Sequence, residues 1–220
     1  MVVASRVAPI RAETLSARDA LLRGTVHVAR HVAPLWSADV APASQRVRLT
    51  GNALRELDRF LNLLIDAASV RVGMAAGPDR RHAPNKLGAL SAAIGGDVGF
   101  DAELAADRTL LMAVGRVRDC LHHCGGVVMR PGGFAATSGG LSWSGERYVG
   151  RTDDVFVPVG DALPLSARDL LMICGTYRRV ARAVVALGMS VPSADAGRSA
   201  PRAGRHRGAD GGQALVARQR

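Results

Sequence analysis

The segment "RVRDCLHHCGG", residues 116 to 126, concentrates side chains that can do chemistry. Histidine can take up or release a proton near neutral pH. Arginine supplies a permanent positive charge that suits a phosphate oxygen. Arg118 precedes His123 by five positions, and the polar Asp119 follows the arginine directly. This combination indicates acid–base chemistry on a phosphodiester, which these groups can perform without a metal ion.

The two cysteines of the same segment raise a metal site as an alternative. Cys120 and Cys124 are four positions apart, so they share one face of a helix, and His123 is adjacent. A structural zinc usually takes a second pair of ligands at similar spacing, and the sequence contains no CxxC pair. We therefore expect no metal, and we interpret both cysteines as small core residues. A thiolate at a helix C-terminus is disfavoured by the helix dipole.

The order "RDCLHH" matches the R-[polar]-x-x-x-H signature of the HEPN superfamily, whose members are small helical bundles, and the chain resembles that superfamily. The resemblance implies that His123 is the general base or acid at a ribose 2′-hydroxyl or a leaving 5′-oxygen. Arg118 would bind the scissile phosphate, and Asp119 would orient the histidine or the substrate. His122 stays open as the alternative motif histidine.

The function that the resemblance implies is a metal-independent endoribonuclease without a cofactor, such as the RNA-cleaving toxin or effector of a bacterial defence or toxin–antitoxin system. Its implied partners are RNA, a second copy in a homodimer, and an antitoxin or other partner protein. On an ideal helix, positions five apart diverge by about 140°, a difficulty that a distorted helix end or a site shared between two copies would ease. We expect Arg116, His122 and Lys86 to contact the substrate.

A helical module that binds protein or nucleic acid without catalysis is the alternative function. The formal charge of +10 favours a polyanionic partner for either function. The chain is also rich in arginine, alanine and glycine, which genomic base composition alone can produce. Six arginines and two aspartates follow Leu187, which leaves +6 on the rest of the chain. RNA binding would weaken with salt in both cases, so only cleavage separates them.

The cysteine content and the hydropathy pattern predict a cytoplasmic protein that makes no membrane contact. Three cysteines, an odd number, argue against a disulfide scaffold and for a reducing compartment. The first 19 residues lack the apolar stretch of an export signal. No run of about 18 apolar residues is present to span a bilayer.

The elements that must position the motif are predicted to form a mainly α fold, a bundle of four to five helices with a small β-hairpin-like insert before the last helix. Apolar residues recur at intervals of three and four, and "LSARD" occurs twice as a capping-box start, at Ser16 with Asp19 and at Ser166 with Asp169. The predicted helices cover about 16–32, 44–73, "KLGALSAAI", 101–124 with Gly125 as its C-terminal cap, and 166–187.

Domain organisation follows from the same pattern. We predict one domain over 1–188, with the β-like insert at about 127–160, where "LSWSGERYVG" and "DVFVPVG" alternate apolar residues with turns. Residues 189–220 lack periodicity and are rich in glycine, alanine and arginine, so they are predicted to be a disordered basic tail.

Overall fold

In the part of the chain that this computed structural model describes, five α-helices confirm the predicted mainly α fold. The structure describes residues 4–37, 41–74, 82–94, 98–129, 140–143 and 155–190. A π-helical turn at Val28–Val32 and a 3₁₀ turn at Ala33–Trp36 continue from the first helix. The α-helices are α1 (Ala4–His27), α2 (Ala43–Arg71), α3 (Ala83–Ile94), α4 (Val98–His123) and α5 (Ala167–Ser190).

Helix α2 is the central element of the bundle, and it contacts each of the other four α-helices. Its apolar face is buried as its sequence periodicity predicts. Burying a leucine or isoleucine side chain stabilises a fold by about 1.5–3 kcal/mol, so this one face is a large part of the core. The buried face consists of Leu54, Leu57, Leu61, Leu64, Ile65 and Ala68.

Close packing at a glycine brings α2 against the end of α4. A Cβ atom added to Gly51 would lie 3.3 Å from the Cβ atom of Leu121 and 3.5 Å from the backbone nitrogen of His122. The two helices can approach this closely only because Gly51 has no side chain. As a result, the α2 residues one and two turns beyond Gly51 lie beside the last turns of α4.

The two "LSARD" segments have different structures. At α5 the capping box is confirmed: the Ser166 backbone N–H and hydroxyl donate to the Asp169 carboxylate at 2.8 and 2.7 Å, and the Asp169 N–H donates to the Ser166 hydroxyl at 3.2 Å. The prediction of a helix start at Ser16 is wrong, because α1 already begins at Ala4. A capping box begins a helix only where the preceding residues are not helical, and this condition is met before Ser166.

The predicted insert is described only in part. Strands β1 (Gly140–Trp143) and β2 (Val155–Pro158) pair in antiparallel fashion. Hydrogen bonds from Val128 N–H to the Asp161 carbonyl and from Leu163 N–H to the Gly126 carbonyl, both 2.9 Å, join the two ends of the insert. Residues 130–139 and 144–154 lie outside the described residues, so the hairpin itself stays a prediction.

The predicted tail lies almost wholly outside the described residues. Helix α5 extends to Ser190, and residues 191–220 are not described. The single-domain boundary at 188 and the disorder after it therefore stay predictions. Among the helices that are described, none combines the length and the apolar character that crossing a membrane requires.

Candidate functional site

The motif lies on a regular helix that ends as predicted. Helix α4 stays α-helical through His123, and Gly125 and Gly126 follow with φ angles of 61° and 83°. The Gly126 N–H donates to the carbonyl of Cys120 at 3.1 Å, and a glycine with positive φ directly after a helix is the usual C-terminal cap. The helix end is therefore not distorted, and its regular geometry fixes the directions of the motif side chains.

A cleft between α2 and α4 brings the three predicted catalytic residues together. We call it the α2–α4 cleft, and its volume is about 580 Å³. Each of the two helices contributes four side chains, so one copy of the chain brings the three predicted residues to the same cleft. The lining residues are Arg55, Glu56, Asp58 and Arg59 of α2 and Arg118, Asp119, His122 and His123 of α4.

Both candidate histidines face the cleft. His122 is four positions after Arg118, which places the two on the same side of the helix, and His123 has the same relation to Asp119. The two imidazole rings are exposed and lie edge to face, with centroids 4.8 Å apart. One bound phosphodiester can therefore contact both rings, and the choice of motif histidine stays open.

The Arg118 guanidinium is held by two carboxylates. Its Nη1 donates to Asp58 of α2 at 2.5 Å, and its Nε and Nη2 donate to Asp119 at 3.0 and 2.8 Å. The Arg118 side chain is only 18% exposed. The Asp58 pair ties α4 to α2, and the two carboxylates offset the arginine's positive charge.

Burial and these charges set the pKa values around the ion pair. Burial acts to lower the pKa of Arg118, but its hydrogen bond with Asp119 and the charges of Asp58 and Asp119 outweigh that effect and raise it. Burial raises the pKa of Asp58 against the opposing effect of Arg118. Burial also raises the pKa of the fully buried Tyr177, and the charge of Asp58 adds to the rise. Arg118 is thus permanently charged, and Tyr177, which feels the charges of Asp58 and Arg118, is a neutral phenol.

The α2 side of the cleft was not part of the predicted site. Arg59 lies 3.6 Å from Glu56, whereas Arg55 makes no ion pair within the described part of the chain. From the sequence, these residues are predicted only to form the polar face of an amphipathic helix. That pattern identifies which residues are exposed, but it does not show that this face borders α4.

Arg116 and Lys86, both predicted to contact substrate, do not line the cleft. The Lys86 ammonium group donates to the Asp66 carboxylate at 2.7 Å and links α3 to α2. Arg116 is half-buried on α4. Of the three residues predicted to contact substrate, the structure therefore places only His122 in the cleft with Arg118 and His123.

The cysteines are placed as core residues. Cys120 is buried, and its thiol donates to the Val127 carbonyl at 3.3 Å. Burial, with a contribution from Cys124, raises the pKa of the Cys120 thiol to about 11, which makes it a poor nucleophile at neutral pH. Among the residues that the structure describes, no group of three or more His, Cys, Asp and Glu side chains could hold a metal ion.

Comparisons with known proteins add no relative to these observations. No family model matches the chain, and no match is found among curated proteins or solved structures. A functional conclusion for this chain therefore depends on the motif and on the geometry of the cleft.

Proposed function

We propose that the chain is a HEPN-like, metal-independent endoribonuclease whose active site is the α2–α4 cleft. The observation that carries this proposal is the shared lining of one cleft by Arg118, Asp119 and the two histidines. The enzyme acts in the cytoplasm as a homodimer. It serves as the RNA-cleaving toxin or effector of a bacterial defence or toxin–antitoxin system, with an antitoxin or similar protein as its regulator.

The proposed reaction is a transesterification followed by release of the RNA product. One histidine takes the proton of a ribose 2′-hydroxyl, and that oxygen attacks the adjacent phosphorus. The bond from phosphorus to the 5′-oxygen breaks, and a protonated histidine gives the leaving oxygen a proton. The products are a 2′,3′-cyclic phosphate and a free 5′-hydroxyl. His122 and His123, with ring centroids 4.8 Å apart, are close enough to divide the two proton transfers.

Arg118 and Arg55 have different roles in holding the phosphate. A guanidinium has five N–H donors, and the contacts of Arg118 with Asp58 and Asp119 occupy three of them. The other two are held in a fixed direction for a phosphate oxygen. Arg55 has no ion pair in the described region, so it supplies the positive charge that attracts the substrate.

The test is cleavage of a labelled single-stranded RNA in the presence of EDTA. The wild type is compared with His122→Ala, His123→Ala and Arg118→Ala, and with His31→Ala, a matched exposed histidine that does not line the cleft. We expect the wild type and His31→Ala to cut at equal rates. Loss of the general base or acid should slow cleavage by about 10²–10⁴-fold. The proposal fails if the wild type does not cut, or if both cleft histidine variants cut as fast as His31→Ala.

A non-catalytic module that binds nucleic acid or protein is the second candidate, and one observation favours it. The cleft carries three arginines and three carboxylates, and Arg118 is already paired with two of the carboxylates. A site with balanced charge attracts a polyanion less strongly than the net charge of the chain suggests. In this alternative the protein binds its partner and leaves RNA intact in the cleavage test.

A further inference from the structure

A second concave surface runs along a neighbouring side of α2, between α2 and α1. Two cavities of about 560 and 530 Å³ lie end to end there and share Ala20 and Phe60, so they form one groove. We call it the α1–α2 groove. Helix α1 lines it with small residues such as Ala17 and Gly24, and α2 contributes larger ones such as Phe60 and Leu63. No described element covers this surface.

The α2 side of the groove has the spacing of a helix-packing seam. Leu49, Leu63 and Val70 are 37%, 48% and 59% exposed, and they are separated by multiples of seven residues. Ala53 lies four positions after Leu49, and Phe60 lies four positions after Glu56, the one charged member of the same seven-residue series. Apolar residues with this alternation pack against another helix. Because a different face of α2 already forms the core, this stripe is a second apolar face that is left for a partner.

The charges of the groove indicate which partner it fits. The end of the groove near the start of α1 carries Glu13 and also Asp66, which pairs with Lys86. The other end carries Arg23 and His27 together with Glu56, which pairs with Arg59. Glu13 and Arg23 are exposed and make no ion pair within the described residues. A twofold rotation about the middle of the groove would place Glu13 of one copy against Arg23 of the other. The surface is therefore complementary to itself.

We infer that the α1–α2 groove is the interface of a homodimer in which two copies pack groove to groove around a twofold axis near Ala20 and Phe60. The inference identifies the surface of the proposed dimer and does not depend on ribonuclease activity. Glu56 lines both the groove and the α2–α4 cleft, so each cleft lies beside the interface. Within one copy, each cleft already brings Arg118, Asp119 and His123 together.

The first test measures the oligomeric state of the full chain by sedimentation equilibrium. Leu63→Asp places a charge in the groove, and Leu171→Asp is the matched control because Leu171 is 50% exposed on α5, away from the groove. We expect a wild-type dimer, a rise in Kd of about 100-fold for Leu63→Asp, and little change for Leu171→Asp. A monomeric wild type, or equal effects of the two variants, overturns the inference. Circular dichroism confirms that both variants are folded.

The second test examines the twofold arrangement. Glu13→Arg and Arg23→Glu should each raise the dimer Kd by about tenfold, because each variant opposes like charges at both ends of the groove. An equimolar mixture should form a heterodimer as stable as the wild type, because opposite charges then meet at both ends. Failure of the mixture to recover dimerisation overturns the arrangement. Neither test uses RNA, so failure of the ribonuclease proposal would leave these results unchanged.

Discussion

The α2–α4 cleft and the α1–α2 groove lie on two sides of the same helix and differ in chemistry. The cleft presents charged residues such as Arg55, Asp58 and Arg59, whereas the groove presents apolar residues such as Leu49 and Leu63. The charged surface suits a polar ligand, and the apolar surface suits another protein helix. The buried face of α2 fixes the positions of both, so one helix organises a candidate reaction site and a candidate assembly site.

The two surfaces also differ in how their side chains are held. In the cleft, Arg118 is fixed between Asp58 and Asp119 before any ligand binds. In the groove, Leu63 and Val70 remain about half exposed. Variants on one side of α2 should therefore leave the property of the other side intact, and this separation is open to test.

The largest stability effect is expected at the ion pair of the cleft. Arg118→Met removes the partner of Asp58, whose side chain is only 22% exposed, and should lower the free energy of unfolding by about 2–4 kcal/mol. Asp119→Asn is the control, because the Asp119 side chain is 58% exposed and the change should cost less than about 1 kcal/mol. Urea unfolding measures both. Equal losses would contradict this account, as would a loss of dimerisation in a folded Arg118→Met variant.

The next largest effect is expected where α2 meets α4. Gly51→Leu places a side chain whose Cβ atom alone would lie 3.3 Å from the Cβ atom of Leu121, and it should lower the unfolding free energy by about 1–3 kcal/mol. Gly115→Leu is the matched change on α4. Apart from its own helix backbone, nothing lies within 4 Å of a Cβ atom added at Gly115, so better helix propensity should raise stability by up to about 1 kcal/mol. Thermal melts of both variants test this contrast, which disappears if they shift in the same direction.

A smaller effect is expected on substrate binding. Arg55→Gln should raise the KM for RNA cleavage by about tenfold and change kcat little, because it removes a cation that attracts substrate without transferring protons. Arg48→Gln removes another exposed arginine of α2 that does not line the cleft, and it should leave KM unchanged. A rise in KM of the same size in both variants would show that general surface charge, not the cleft, attracts the RNA.

The smallest effect is expected on the pH dependence of stability, and it comes from the buried core and not from either surface. The pKa of the Cys120 and Cys174 thiols is raised from 9.0 to about 11 by burial. Each thiol therefore loses its proton at a lower pH in the unfolded chain than in the folded chain. The stability that the buried, protonated thiol contributes is complete below pH 9.0 and is lost as the pH rises to about 11. The loss is about 1 kcal/mol per thiol at the middle of this window. The free energy of unfolding, measured across this pH range, should decline less steeply for Cys174→Ala than for the wild type. An unchanged slope would argue against the burial effect.

Local patterns in the sequence predicted much of the fold. The buried face of α2, the Gly125 cap and the capping box at Ser166 each depend on residues a few positions apart. The start of α1 was missed because the capping-box pattern at Ser16 also occurs inside a longer helix. Short-range patterns thus identify helices more reliably than they locate every helix end.

The candidate site was predicted only on its α4 side. Arg118 and His123 were recognisable because the motif is continuous in sequence. Their neighbour Asp58 is 60 positions away from Arg118, and no local pattern pairs the two residues. Lys86 was grouped with the site by its charge alone, but its salt bridge with Asp66 holds it elsewhere. Long-range packing decided which polar residues share the cleft.

The central claim is that the α2–α4 cleft cleaves RNA through the ribose 2′-hydroxyl, and the most direct measurement compares two substrates in EDTA. One is a labelled single-stranded RNA, and the other has the same sequence with every 2′-hydroxyl methylated. The account predicts that only the unmodified RNA is cut, that its fragments end in 2′,3′-cyclic phosphates, and that a cleft histidine variant abolishes the products. Cleavage of both substrates, or of neither, would contradict it.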